Sequence, residues 1–177
     1  MRVAQTLIVT TGLTGAAVLA AVLSVRAGGD KIVFPEYAKG VVYMTLDMPA
    51  EKQVRDFYTS RAAVDAAKKG TPLPDGTVIT SVQFAAKLDA QGSPEKDANG
   101  RFIKTNNLVG YAVMEKRSGW GAEYPEAKRN GEWEYQFFLA DRTPNTKVNL
   151  DICFNCHKPQ ASNDFVFTYD KMKAATQ

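Results

Sequence analysis

A single histidine and two cysteines are the only imidazole and thiol groups that 177 residues offer a metal ion. A structural zinc site takes about four ligands, so none can be assembled from these residue types without help from others. Two cysteines also leave no pair for a structural disulfide once both are committed elsewhere. Charge of either sign is in modest supply: 22 Lys and Arg stand against 19 Asp and Glu, for a formal net charge of +3. No basic block interrupts the chain, which removes the footprint of a nucleic-acid binder. Internal repeats and low-complexity tracts are absent from the sequence as well, which argues against a repeat architecture.

The chemistry the chain does hold is gathered in one place. Cys153-Phe154-Asn155-Cys156-His157 contains both cysteines and the histidine. Two thiols three positions apart can add across the two vinyl groups of one haem, and the adjacent imidazole then lies against the iron; C-x-x-C-H is the attachment pattern of a c-type haem. The pattern predicts one covalent haem c, linked through Cys153 and Cys156 and ligated by His157. A redox-active dithiol is the competing use of C-x-x-C, but it is expected early in a βαβ unit, where a helix opens. This pair sits close to the C-terminus instead.

The other end of the chain reads as a targeting segment. Arg2 gives a positive start, Thr6 to Val25 runs without a charge, and Val25-Arg26-Ala27 puts small residues at the positions a signal peptidase reads. Residues 1–27 are expected to be a signal peptide, with export to the periplasm. The uncharged run of about 20 residues is also long enough to span a bilayer as an uncleaved anchor. Thr10, Thr11, Gly12, Thr14 and Gly15 make it a weak span. Residues 28–177 then form one domain of about 150 residues, with room for a real core. Without Arg2 and Arg26 the formal net charge falls from +3 to +1.

Within that domain, residues 32–48 predict an extended entry and a strand through Val41, Val42, Tyr43, Thr45 and Leu46. Pro49-Ala50-Glu51 predicts a helix start, with Val54, Phe57 and Tyr58 on one face. A second helix is expected from Ser60 to Lys69, stopped by Gly70. After the Thr71–Gly76 turn come a β-branched strand at Thr77–Phe84, a polar surface loop at Asp89–Gly100, and a strand at Leu108–Met114. That last strand is apolar on both faces, so it is expected to be central or to line a cavity. Trp133–Leu139 is a further strand. In the tail, Ser162-Asn163-Asp164 predicts a helix cap, and Phe165, Val166, Phe167 and Tyr169 form an apolar patch near His157. Phe165 and Phe167 are candidates for haem packing, with ordinary core aromatics as the alternative.

Taken together, the C-x-x-C-H motif followed by Asn163-Asp164-Phe165-Val166-Phe167-Thr168, the Leu73-Pro74-Asp75-Gly76-Thr77-Val78 turn and strand, and the aromatic strand from Gly131 to Leu139 resemble the cytochrome P-460 family. That family includes the cytochromes called c-prime-beta. The resemblance runs through most of residues 35–173. It implies an α+β fold, mainly an antiparallel β-sheet with flanking helices, often a homodimer, holding a single haem c near the C-terminus in the periplasm. It also implies a five-coordinate iron with His157 proximal and the distal side open to small ligands.

The enzymatic branch of that family oxidises hydroxylamine and resembles a haem cross-linked to a lysine, with a distal carboxylate to move protons. The lysine's place falls here at Ser81, which cannot make the link; Lys87 is the fallback, since it would share a face with Ser81 in an unbroken strand. The carboxylate's place falls at Ala112. The resemblance therefore implies an apolar distal pocket around Ser81, Ala112 and Met114. Such a pocket lacks a general base for hydroxylamine but admits neutral diatomics such as NO or CO. Met114, or Met44, is also a candidate sixth ligand, which would make the protein a six-coordinate electron carrier with an unidentified redox partner; the alternative is a core methionine. Arg101, Lys104, Lys116 and Arg117 are candidates to pair with haem propionates, or else form a solvated face. Trp120 and Trp133 are expected as core or haem-edge packing.

Overall fold

The computed structural model describes residues 32–176, so the expected signal peptide or anchor lies outside the described residues. Five strands form one antiparallel sheet whose spatial order is the chain order: β1 (Val41–Met48), β2 (Gln53–Thr59), β3 (Val78–Ala86), β4 (Lys104–Lys116) and β5 (Trp133–Leu139). Three short helices accompany it: α1 (Arg61–Lys68) between β2 and β3, then α2 (Asp151–His157) and α3 (Tyr169–Lys173) after the sheet is complete. The class is α+β, a mainly antiparallel sheet with flanking helices.

The segment expected as a first helix is instead a hairpin turn and β2. Lys52 donates its backbone N–H to the Pro49 carbonyl at 3.3 Å and takes a left-handed conformation, φ 53°, which turns the chain back on itself. β2 is then paired on both sides, Phe57 lying opposite Met44 of β1 and opposite Ser81 of β3. A strand inside a sheet covered on both faces carries apolar groups at even and odd positions. Val54 and Tyr58 take one face and Phe57 the other, and three such residues imitate a helical stripe.

The second helix forms where its signals place it. Ser60 is the N-cap, its hydroxyl accepting the Ala63 N–H at 3.1 Å, a contact worth about 0.5–2 kcal/mol. Ala63, Val64 and Ala67 are fully buried on the sheet side, and Gly70, at φ 70°, lets the chain leave.

The sheet has a core on each face. On one, α1, α2 and α3 pack through Val64, Phe154 and Met172 against Ile79, Met114, Trp133 and Tyr135. On the other, the entry segment lays Ile32 and Phe34 over Val82, Tyr111 and Phe138, with the Phe34 ring edge-on to Tyr111 at 4.8 Å and to Phe138 at 5.2 Å. β4 therefore meets both expectations at once: it is interior to the sheet, and its residues divide between the two cores.

The tail departs from the expected cap. A 3-10 turn, Lys158–Asn163, continues out of α2, and the chain then bends through two left-handed residues, Asp164 (φ 52°) and Phe165 (φ 60°). Helix α3 starts only at Tyr169. The Asp164 carboxylate caps nothing locally; it is drawn across the molecule to the Leu73 backbone N–H, 2.8 Å away, and to Lys116.

Candidate functional site

The sheet face under the helices carries one transverse row in which each residue stands opposite the next: Phe57 on β2, Ser81 on β3, Ala112 on β4 and Phe137 on β5. Two small residues in the middle and a phenylalanine at each end make a trough. Above it lies a cavity of about 120 Å³ lined by all four, by Ile79, Met114 and Tyr135 on the neighbouring positions of the sheet, and by Cys153 and His157 from α2. Neither a lysine nor a carboxylate lines it.

Helix α2 sets the opposite wall. Phe154 is its anchor, buried against the rings of Tyr124 (5.1 Å) and Tyr135 (4.8 Å), while the Phe154 carbonyl accepts from Asn130 Nδ2 at 2.9 Å. With Phe154 turned into the core, Cys153 and His157, four positions apart, share a face and border the cavity; Cys156 is exposed. Both thiols are free. Burial, and secondarily the neighbouring Cys156, pushes the Cys153 thiol up to about 11.

The imidazole of His157 is held from several sides. Its Nδ1 is 2.8 Å from the Phe165 carbonyl oxygen, which can only accept, so Nδ1 carries the proton and Nε2 keeps its lone pair. The ring lies between Tyr135 (4.9 Å) and Phe167 (5.0 Å). Burial lowers its pKa, and the bond to Phe165 only partly opposes that, so the neutral ring prevails at pH 7. A neutral imidazole whose other nitrogen is tied to a backbone carbonyl is the form in which histidine binds a metal.

What aims that carbonyl is the left-handed bend. Non-glycine residues in this region cost of order 1–3 kcal/mol each and persist where the surroundings fix them. Here Lys116 Nζ donates to Asp164 at 2.8 Å and to the Leu73 carbonyl at 3.0 Å, both charged side chains being about 85% covered. The Phe165 ring rests over Gly131, where an added Cβ would lie 3.1 Å from it.

Ser81, Ala112 and Met114 line one cavity together with His157. Phe165 and Phe167 reach the histidine rather than the cavity, one through its carbonyl and one through its ring. Met44 packs against the core beside Phe57 and does not line the cavity. Lys87 pairs with Glu95 at 2.7 Å on the surface, away from Ser81. The four candidate propionate partners have carboxylates of their own: Arg101 with Asp47, Lys104 with Asp56, Lys116 with Asp164, Arg117 with Glu115. Trp133 is a core residue and Trp120 packs on the opposite face. Two contributors were missed. Phe57 was hidden by the helix reading of its segment, although the turn at 49–52 between two β-rich runs was visible. Phe137 was legible from the alternation of Trp133, Tyr135 and Phe137.

The donor set fits a haem of the c type. It offers a neutral imidazole with a free Nε2, two reduced thiols on the same helix, and an apolar cavity with one orphaned hydroxyl, Ser81 Oγ, which is buried and has no hydrogen-bond partner. An antiparallel sheet presenting such a cavity to a C-x-x-C-H helix defines a haem-binding site of the cytochrome kind. Residues 36–168 match the family model described as Cytochrome P460; the match covers more than half of the chain, which belongs to that family. No curated protein matches it.

Proposed function

We propose that the protein is a monohaem c-type cytochrome of the periplasm that binds small diatomic gases, NO or CO, on the sheet side of its haem. Cys153 and Cys156 would form the thioether links, and His157 Nε2 would be the proximal ligand. A haem c supplies an exchangeable coordination position and a one-electron couple; the chain's part is to orient the imidazole, exclude water and shape the opposite face. A cavity of about 120 Å³ is well below the roughly 300–1,000 Å³ of pockets that swallow a small-molecule ligand.

The observation that carries this reading is the Phe57–Ser81–Ala112–Phe137 row facing His157. It has space for a small neutral ligand and no side chain able to accept protons from hydroxylamine. Met114, 7% exposed and lining the same cavity, supports a second reading, a six-coordinate electron carrier. Optical spectra of the holoprotein, ferric and ferrous, before and after NO or CO, separate the alternatives. High-spin ferrous bands at the ordinary haem c position that shift with either gas support gas binding. Sharp low-spin bands indifferent to both gases support the electron carrier. A strongly red-shifted ferrous Soret band, with a third covalent link in the intact mass, overturns both in favour of the lysine-linked enzyme.

A further inference from the structure

Ser81 is the one residue of the trough that pays for its place. Its hydroxyl is buried, 6% of the residue being exposed, and Oγ has no hydrogen-bond partner. The sheet offers it none, because the backbone groups beside it are engaged in pairing with β2 and β4. The other polar side chains bordering the cavity each have a partner: the Tyr135 hydroxyl accepts from Asn130 Nδ2 at 3.1 Å and keeps its own O–H to donate, Gln136 Oε1 accepts from the Phe137 N–H at 2.9 Å, and His157 Nδ1 is tied to Phe165. Thr80, the neighbouring orphaned hydroxyl, points to the other face of β3. A buried hydroxyl left without a partner is destabilising, and an alanine at this position would fill nearly the same space without that cost.

We propose that the Ser81 hydroxyl is the hydrogen-bond donor to the ligand held on the sheet side of the haem, and so selects among diatomics for those whose outer atom accepts a hydrogen bond. The inference rests on the gas-binding reading. Phe57 and Phe137 stand at either end of the row and Ala112 within it, and none contributes a side-chain donor, so the Ser81 O–H is the one donor of the row. Ala112, directly opposite on β4, puts only a methyl group beside it.

The test compares the ferrous CO complexes of the wild-type holoprotein and Ser81→Ala. Donation to the outer oxygen lowers the C–O stretching frequency, so the band is expected to move to higher frequency in Ser81→Ala. CO affinity should fall about two- to tenfold, the effect of losing one hydrogen bond between neutral groups. The same contact is read without mutation, as a shift of the wild-type band between H₂O and D₂O. A CO complex whose band is the same in both proteins and in both solvents overturns this inference alone. A wild-type haem that takes up no CO overturns the gas-binding reading and this inference with it.

Discussion

The Phe165 carbonyl oxygen lies 2.8 Å from His157 Nδ1, and the residue that presents it sits in the left-handed region at φ 60°, next to a second such residue, Asp164, at φ 52°. The orientation of the imidazole is therefore tied to an ion pair on the far side of the bend. Asp164→Asn keeps the size of the side chain and removes the charge facing Lys116. Because that pair is mostly but not wholly covered, a loss of about 1–3 kcal/mol is expected, below the ~3–5 kcal/mol of a fully buried pair. Urea unfolding of the holoprotein measures it. An unchanged midpoint would mean that the bend holds itself.

Titration of the histidine gives stability a direction with pH in the haem-free chain. Burial holds the folded pKa of His157 below its ordinary value. The unfolded chain therefore takes up a proton first, and stability present above about pH 6.5 is lost as pH falls toward the folded pKa. The slope is at most about 1.4 kcal/mol per pH unit for one group. Urea midpoints between pH 5 and 8 should decline on the acid side, and His157→Gln should flatten that decline.

The two thiols differ in readiness. Cys153 is half-buried and its thiol is pushed up to about 11, whereas Cys156 is exposed. Since the thiolate is the attacking form, iodoacetamide should label Cys156 of the haem-free chain first at pH 8. Cys153 labelling should rise steeply only as pH climbs toward 11. Equal labelling of both peptides by mass spectrometry at pH 8 would contradict this placement.

Phe57 closes one end of the trough, opposite Ser81. Phe57→Ala should enlarge the cavity and cost about 2–4 kcal/mol, toward the low end because the ring is only partly buried. Under the gas-binding reading it should also speed CO association with the ferrous holoprotein. Flash photolysis reads that rate, and a rate equal to the wild type's would show that the ring does not restrict entry.

Much of this was legible in the sequence, and the parts that were not share a cause. The Trp133–Leu139 strand came through unaltered, and the helix expected over Ser60–Lys69 forms at Arg61–Lys68, because their signals are local: alternation in one, an alanine-rich run with a glycine stop in the other. β2 failed because a doubly covered strand loses its alternation, so that Val54, Phe57 and Tyr58 can be counted at either period. Asp164 looked like a cap because its role is set by Leu73 and Lys116, 91 and 48 positions away. The cavity follows the same division. His157, Cys153 and Cys156 were readable as a motif, while the alignment of Phe57, Ser81, Ala112 and Phe137 exists only through three strand registers.

The order of the sheet has a kinetic consequence. Each strand pairs with its neighbour in the chain, so the sheet can grow hairpin by hairpin, and contacts between near neighbours are the ones that form fast. The segment bearing the cysteines is different. Its docking depends on closures such as Tyr43 to Thr168 and Tyr169 to Thr71, spanning 125 and 98 positions. By the same rule it is the slowest part to settle. A chain with a completed sheet and an undocked C-terminal arm leaves both thiols open to solvent, and docking of that arm then half-buries Cys153 while Cys156 stays exposed.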